Sequence, residues 1–148
     1  MVDSRTAPLA LLLLRVTLGA LLLVHFFNKL LIFTPAGTAH LFGSLGLPPS
    51  LAYVVMTLEA ITGSALILGV WPRLAALAAL PILLGAIGFF HVHNGFAYNA
   101  PQGGGWEYPG FWAVCLLVQV LAGDGAAALV PTPFRTLSAQ PRPFNSRG

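Results

Sequence analysis

Residues 9–33 read LALLLLRVTLGALLLVHFFNKLLIF, an apolar run interrupted by Arg15, His25 and Lys29. At about 1.5 Å of rise per residue, a helix of this length crosses the hydrocarbon core of a bilayer. Each ionisable group in that core is costly unless it finds a partner or reaches the interface. At about 100° per residue, Arg15, Gly19, His25 and Lys29 fall within one sector, and Leu and Val wrap the rest. The segment reads as a span with one polar face.

The composition agrees. The chain has 148 residues, 57% hydrophobic against 7% charged, with a mean hydropathy of +0.83. That is the profile of an integral membrane protein and excludes a soluble domain. The net charge is +3, but the arginines stand singly at segment ends and form no stripe, so no nucleic-acid partner is expected. Cys115 is the single cysteine and lies in an apolar run, which excludes an intrachain disulfide and a cysteine-based metal site. A signal peptide ending near Ala36–Ala39 is not expected, because the apolar run is too long and carries charges near both ends. Gly103-Gly104-Gly105 lacks the lysine and preceding strand of a phosphate loop, and no nucleophile elbow or dinucleotide fingerprint is present.

Three further apolar stretches follow: Ser50 to Val70 with Glu59 near its middle, Leu74 to about His91 with Pro81 as an expected kink, and Glu107 to Ala122 with Pro109 in its first turn. The expected architecture is all-α, an integral membrane four-helix bundle over residues 9–125 with spans at about 9–33, 50–70, 74–91 and 107–122. Residues 1–8 form a polar lead. Residues 126–148 form a Pro/Arg-rich tail, read as flexible from Pro131 onward. Thr34 to Thr38 reads as a break, and His40 to Leu47 as a short amphipathic piece at the interface. Residues 94–105, with Asn94-Gly95, Pro101 and three consecutive glycines, carry turn chemistry. Gly85 and Gly88 are candidate points of close helix contact, within the chain or between copies in a homo-oligomer. Arg5, Arg73, Arg135, Arg142 and Arg147 all fall on one side, whereas residues 34–48 and 94–107 hold no Lys or Arg, so both termini are expected in the cytoplasm.

Counting inward from the outer end of each span puts His25 and Glu59 at one level, with Lys29 one turn nearer the surface. An intramembrane carboxylate beside cationic groups marks a functional site, so Glu59, His25 and Lys29 are the candidate catalytic residues. The alternative is a buried ion pair that sets helix register. Arg15, toward the cytoplasmic half, has two readings: a ligand-binding residue, or a side chain that snorkels to the headgroups. His91, Asn94, Glu107 and Tyr108, at the outer ends of spans three and four, are candidate ligand-binding residues. Glu107 also reads as a helix N-terminal acid, and Trp106 and Tyr108 as interfacial belt residues; with Phe96 these two aromatics would flank a flat head group such as a quinone. His91 and His93, two apart, point in opposed directions on a helix. A metal set of His25, Glu59 and one of these histidines fits ligand chemistry, but no metal is assigned.

Arg15-Val16-Thr17-Leu18-Gly19 followed by His25 and Lys29, Gly46-Leu47-Pro48 before the span with Glu59, and Asn94-Gly95-Phe96 followed by Gly104-Gly105-Trp106-Glu107-Tyr108-Pro109 together resemble the DoxX family of small bacterial membrane proteins. The resemblance runs from Leu9 to about Gly125. It implies a four-helix protein of the bacterial cell (inner) membrane linked to redox systems: thiosulfate and quinone oxidoreduction in one branch, quinone or oxidative-stress protection in others. By the same resemblance His25, Lys29, Glu59, Asn94 and Glu107 match recurring polar positions. The chain departs from the family at Phe26, where glycine is usual, and in its Pro/Arg tail.

The leading expectation is a membrane subunit of a redox or detoxification system, an oxidoreductase acting with a partner, that binds a quinone-like molecule in the outer half of the bundle. Glu59, His25 and Lys29 would handle the protons of quinone chemistry, and a redox protein partner would supply the electrons. The rival expectations are a non-enzymatic lipid-binding, small-molecule-binding or assembly protein, and a metal-handling one.

Overall fold

The computed structural model describes residues 3–100 and 103–133. Helix α1, Ala7–Phe27, opens with Pro8 in its first turn, where a missing N–H costs nothing. It passes without interruption into a π-helical turn, Asn28–Ile32. Its buried residues Arg15, Leu18, Gly19 and Leu22 lie at helical spacing, so the sector that carries the polar residues is the one that faces the protein.

Helix α2, Pro35–Ser44, corrects the expected break at 34–38. Thr34 takes φ of 60° and its Oγ1 accepts the Gly37 N–H at 3.2 Å, so a threonine cap followed by proline starts a helix five residues before the expected amphipathic piece. Helix α3 is Leu51–Leu68 and ends on Gly69 at φ of 72°, a left-handed position that favours glycine. Helix α4, Pro72–Ala86, runs through Pro81 and on into a π-helical turn, Ile87–His91, and a single 3₁₀ turn, Val92–Asn94. Helix α5 is Glu107–Ala122. The segments Ala7–Ile32, Leu51–Leu68 and Pro72–Asn94 are long and apolar enough to cross a membrane, and α5 is a shorter apolar helix of 16 residues. Among the described residues no strand forms; Val70 and Val130 make one isolated bridge.

The helices pack in a closed ring, α1 on α3, α3 on α4, α4 on α5 and α5 back on α1, the last seam being the thinnest; α2 lies on α3. Leu18, Leu22, Leu66, Leu83, Trp112 and Leu116 fill the core, with Ala75, Ala76 and Ala79 keeping α4 close to its neighbours. The closest crossing is α1 with α3, where a Cβ on Gly19 would stand 2.6 Å from the Gly63 carbonyl oxygen. Gly85 and Gly88 are not such points within the chain: a Cβ at either meets nothing within 4 Å.

One end of the ring gathers the start of α1, the α3–α4 turn and the residues after α5. Pro8 O accepts from Ala126 N at 2.8 Å and Val130 O from Trp71 N at 2.8 Å. Arg15 is buried here, 1% exposed, and its two terminal nitrogens donate to Leu66 O, Ile67 O, Ala126 O and Ala127 O at 2.9 to 3.2 Å. It does not snorkel, because four carbonyls left unpaired by the end of α3 and by the chain after α5 are a nearer partner than headgroups. Arg73 serves α5 likewise, donating to Val120 O at 2.7 Å and Leu121 O at 2.9 Å. Residues 126–133 are therefore a docked strap and not a loose tail. Thr132 is buried and bonds Asp124 through both its N–H and its hydroxyl, at 2.8 and 2.6 Å. Pro101, Arg135, Pro141, Arg142, Pro143 and Arg147 lie outside the described residues.

Candidate functional site

At the other end, the polar residues read from the sequence fall into two groups. Inside the ring, Lys29 Nζ donates to Glu59 Oε1 at 2.7 Å, linking the π turn of α1 to the middle of α3. Helical side chains lean toward the N-terminus, so Lys29 reaches back to a carboxylate one turn deeper. Glu59 is 3% exposed, whereas the Lys29 side chain is 20% exposed and opens toward the surface. The second carboxylate oxygen, Oε2, is buried with no hydrogen-bond partner. A buried acceptor without a donor is expensive, and it points to a group the site is built to receive.

His25 lies within Coulombic reach of Glu59 but does not bond it. Its Nδ1 faces the Leu21 carbonyl oxygen at 2.9 Å, so that nitrogen carries the proton and donates. Its ring meets Trp112 of α5 with centroids 5.0 Å apart. Trp112 went unremarked in the sequence. It is 7% exposed, and its indole Nε1 is also buried without a partner. Its position was the available signal: an aromatic with a polar handle in mid-span, not at the belt.

The second group forms the mouth. Tyr108 lies one turn above Trp112 on the same face of α5. Its hydroxyl is 2.9 Å from His91 Nε2, and His91 Nδ1 is 2.9 Å from Gly104 O. Because a carbonyl only accepts, His91 donates through Nδ1 and accepts the Tyr108 O–H at Nε2, which fixes a neutral tautomer. Asn94 Nδ2 donates to the same Gly104 oxygen at 3.1 Å. Glu107, in the first turn of α5, accepts from Tyr98 N at 3.0 Å, and Phe96 meets Trp106 edge-on at 4.8 Å. His91, Asn94, Glu107 and Tyr108 thus tie the 94–106 loop to α5. Phe96 and Trp106 pack on each other, which is not the parallel sandwich a flat ring needs.

The structure does not bring His91 or His93 to Glu59, and among the described residues no three His, Cys, Asp or Glu side chains converge on a metal position. Arg15 belongs to the opposite end. An open groove of about 590 Å³ lined by Pro8, Leu11, Asp124, Gly125 and Pro131 also lies at that far end, away from Glu59.

Apolar helices of spanning length around a buried ion pair and two unpartnered polar atoms define a small polytopic helical membrane protein with a polar site in its interior. The DoxX family model matches residues 10–93. The chain belongs to the DoxX family. A protein of Bacillus subtilis (strain 168) described as "Putative oxidoreductase CatD" is 30% identical over 132 residues, covering 89% of this chain and 92% of that one. No solved structure matches the chain.

Proposed function

We propose that this DoxX protein is a four-span protein of the bacterial cell (inner) membrane, with both termini cytoplasmic, and that it is the membrane subunit of a redox or quinone-linked detoxification system. It binds a quinone-like small molecule in the outer half of the ring. The observation that carries this reading is Glu59 Oε2: a carboxylate oxygen deep in an apolar bundle, tethered through its other oxygen to a half-buried lysine and left with an open acceptor position. Glu59, His25 and Lys29 hold and exchange protons with the bound ring, since quinone chemistry needs proton donors and acceptors within hydrogen-bond reach. Electrons come from a partner redox protein. The oxidoreductase wording of the Bacillus subtilis relative supports a redox role. The orientation is supported by Arg15 and Arg73, which lie at one end of the ring, while residues 34–48 and 94–107 at the other hold no Lys or Arg. A C-terminal fluorescent fusion tests it: fluorescence is expected, and a fusion active only outside the cytoplasm reverses it.

Mass spectrometry of small molecules that co-purify in native lipid particles, wild type beside Glu59→Gln, tests the function. A quinone-type compound present in the wild type and lost in the variant is the expected result. If neither preparation carries one, the ion pair is a structural brace. A second reading, a non-enzymatic binding or assembly protein, is favoured by the full engagement of His91, whose two nitrogens are both spent within the protein.

A further inference from the structure

We propose that the interior site binds a hydroxyl group, which donates to Glu59 Oε2 and accepts from Trp112 Nε1, so that the protein prefers a hydroquinone to the corresponding quinone; this rests on the quinone-type reading above. Both atoms are buried without partners, on side chains 3% and 7% exposed. Their helices, α3 and α5, stand across the ring from each other, so the two side chains face one another only through the interior. His25 on α1 bridges the two sides: its ring lies against Trp112, and its charge is felt at Glu59.

The chemistry of the two atoms is complementary. An indole N–H donates and never accepts. A carboxylate held by an ammonium group at Oε1 accepts at Oε2. A single group that satisfies both must donate and accept at once, as a hydroxyl does. A quinone carbonyl satisfies Trp112 but sets one acceptor against another at Glu59, and an ammonium group leaves Trp112 unpaired. Leaving a charged buried acceptor unmatched costs about tenfold or more in affinity. The α1–α5 seam, the thinnest in the ring, is flanked by the tilted rings of His25 and Trp112 and gives a flat molecule a lateral way in.

The test is anaerobic equilibrium dialysis of the full chain in lipid nanodiscs against duroquinol, duroquinone and the dimethyl ether of duroquinol. Duroquinol is expected to bind at least about tenfold more tightly than the other two. In Glu59→Gln the quinol and quinone affinities should converge, because an amide both donates and accepts. Trp112→Phe should weaken duroquinol by roughly fivefold through loss of one donor. Equal binding of quinol and quinone by the wild type overturns this inference and leaves the quinone-type reading standing. Equal, weak partitioning of all three probes means that water bridges the pair, and overturns both. A quinol preference that survives in Glu59→Gln puts the hydroxyl elsewhere and overturns the inference.

Discussion

Replacing Gly19 by alanine puts a methyl group into the α1–α3 crossing. The added Cβ would stand 2.6 Å from the Gly63 carbonyl oxygen and 2.8 Å from Ile67 Cγ1. Ordinary contact begins near 3.4 Å, and the nearest obstacle is backbone that cannot rotate away, so the helices must part by about 0.8 Å. Overpacking of this kind costs about 1–3 kcal/mol, offset by the roughly 0.5–1 kcal/mol that alanine gains over glycine inside a helix. The expected net loss for Gly19→Ala is about 1–2 kcal/mol. Gly63→Ala meets its nearest neighbours at 3.0 and 3.1 Å and should fall near zero, while Gly85→Ala and Gly88→Ala, with nothing within 4 Å, should be neutral or stabilising. Reversible unfolding in mixed micelles, followed by tryptophan fluorescence, ranks the four variants. A Gly19→Ala protein as stable as the wild type, or a Gly85→Ala protein more damaged than it, refutes the close crossing.

Lys29→Met strands Glu59 in the interior and should cost about 3–5 kcal/mol in the same assay, whereas the double variant Lys29→Met, Glu59→Leu should recover most of it; equal losses would mean that the pair does not couple α1 to α3. Arg15→Met removes four hydrogen bonds to carbonyls and should expose the 126–133 strap to limited proteolysis while costing about 3–5 kcal/mol. Arg15→Lys should not rescue it, since one ammonium cannot fork across two pairs of carbonyls, and a lysine variant of wild-type protease resistance argues against that geometry.

Periodicity and hydropathy made the helices legible, because lipid-facing and protein-facing residues must differ over long runs: α5 begins and ends where the composition places it. The level shared by His25 and Glu59 was legible too, since rise per residue sets depth. What the sequence hid depended on contacts between distant residues. Arg15 looks like a snorkelling side chain until the end of α3 and the chain after α5 are brought to it. The proline-rich composition after residue 130 gave no sign that Thr132 is held by Asp124. Gly19 read as part of a polar face, whereas its use is to let two backbones touch, and the glycines that looked like contact points, Gly85 and Gly88, are open. Trp112 gave a faint signal, an indole away from the belt, whose meaning depends on which helix stands across the ring.

The Arg15 clamp has a consequence for biosynthesis. The guanidinium enters the membrane with the first helix to be made, but two of its four acceptors, Ala126 O and Ala127 O, belong to a segment synthesised more than a hundred residues later. During that interval the first span carries a charge whose partners are incomplete, a state in which lipid-facing insertion is penalised and recognition by quality-control proteases is favoured. The strap is thus the part of the chain that releases the nascent protein from surveillance, and a ribosome that stops before residue 126 leaves behind a product marked by its own first helix.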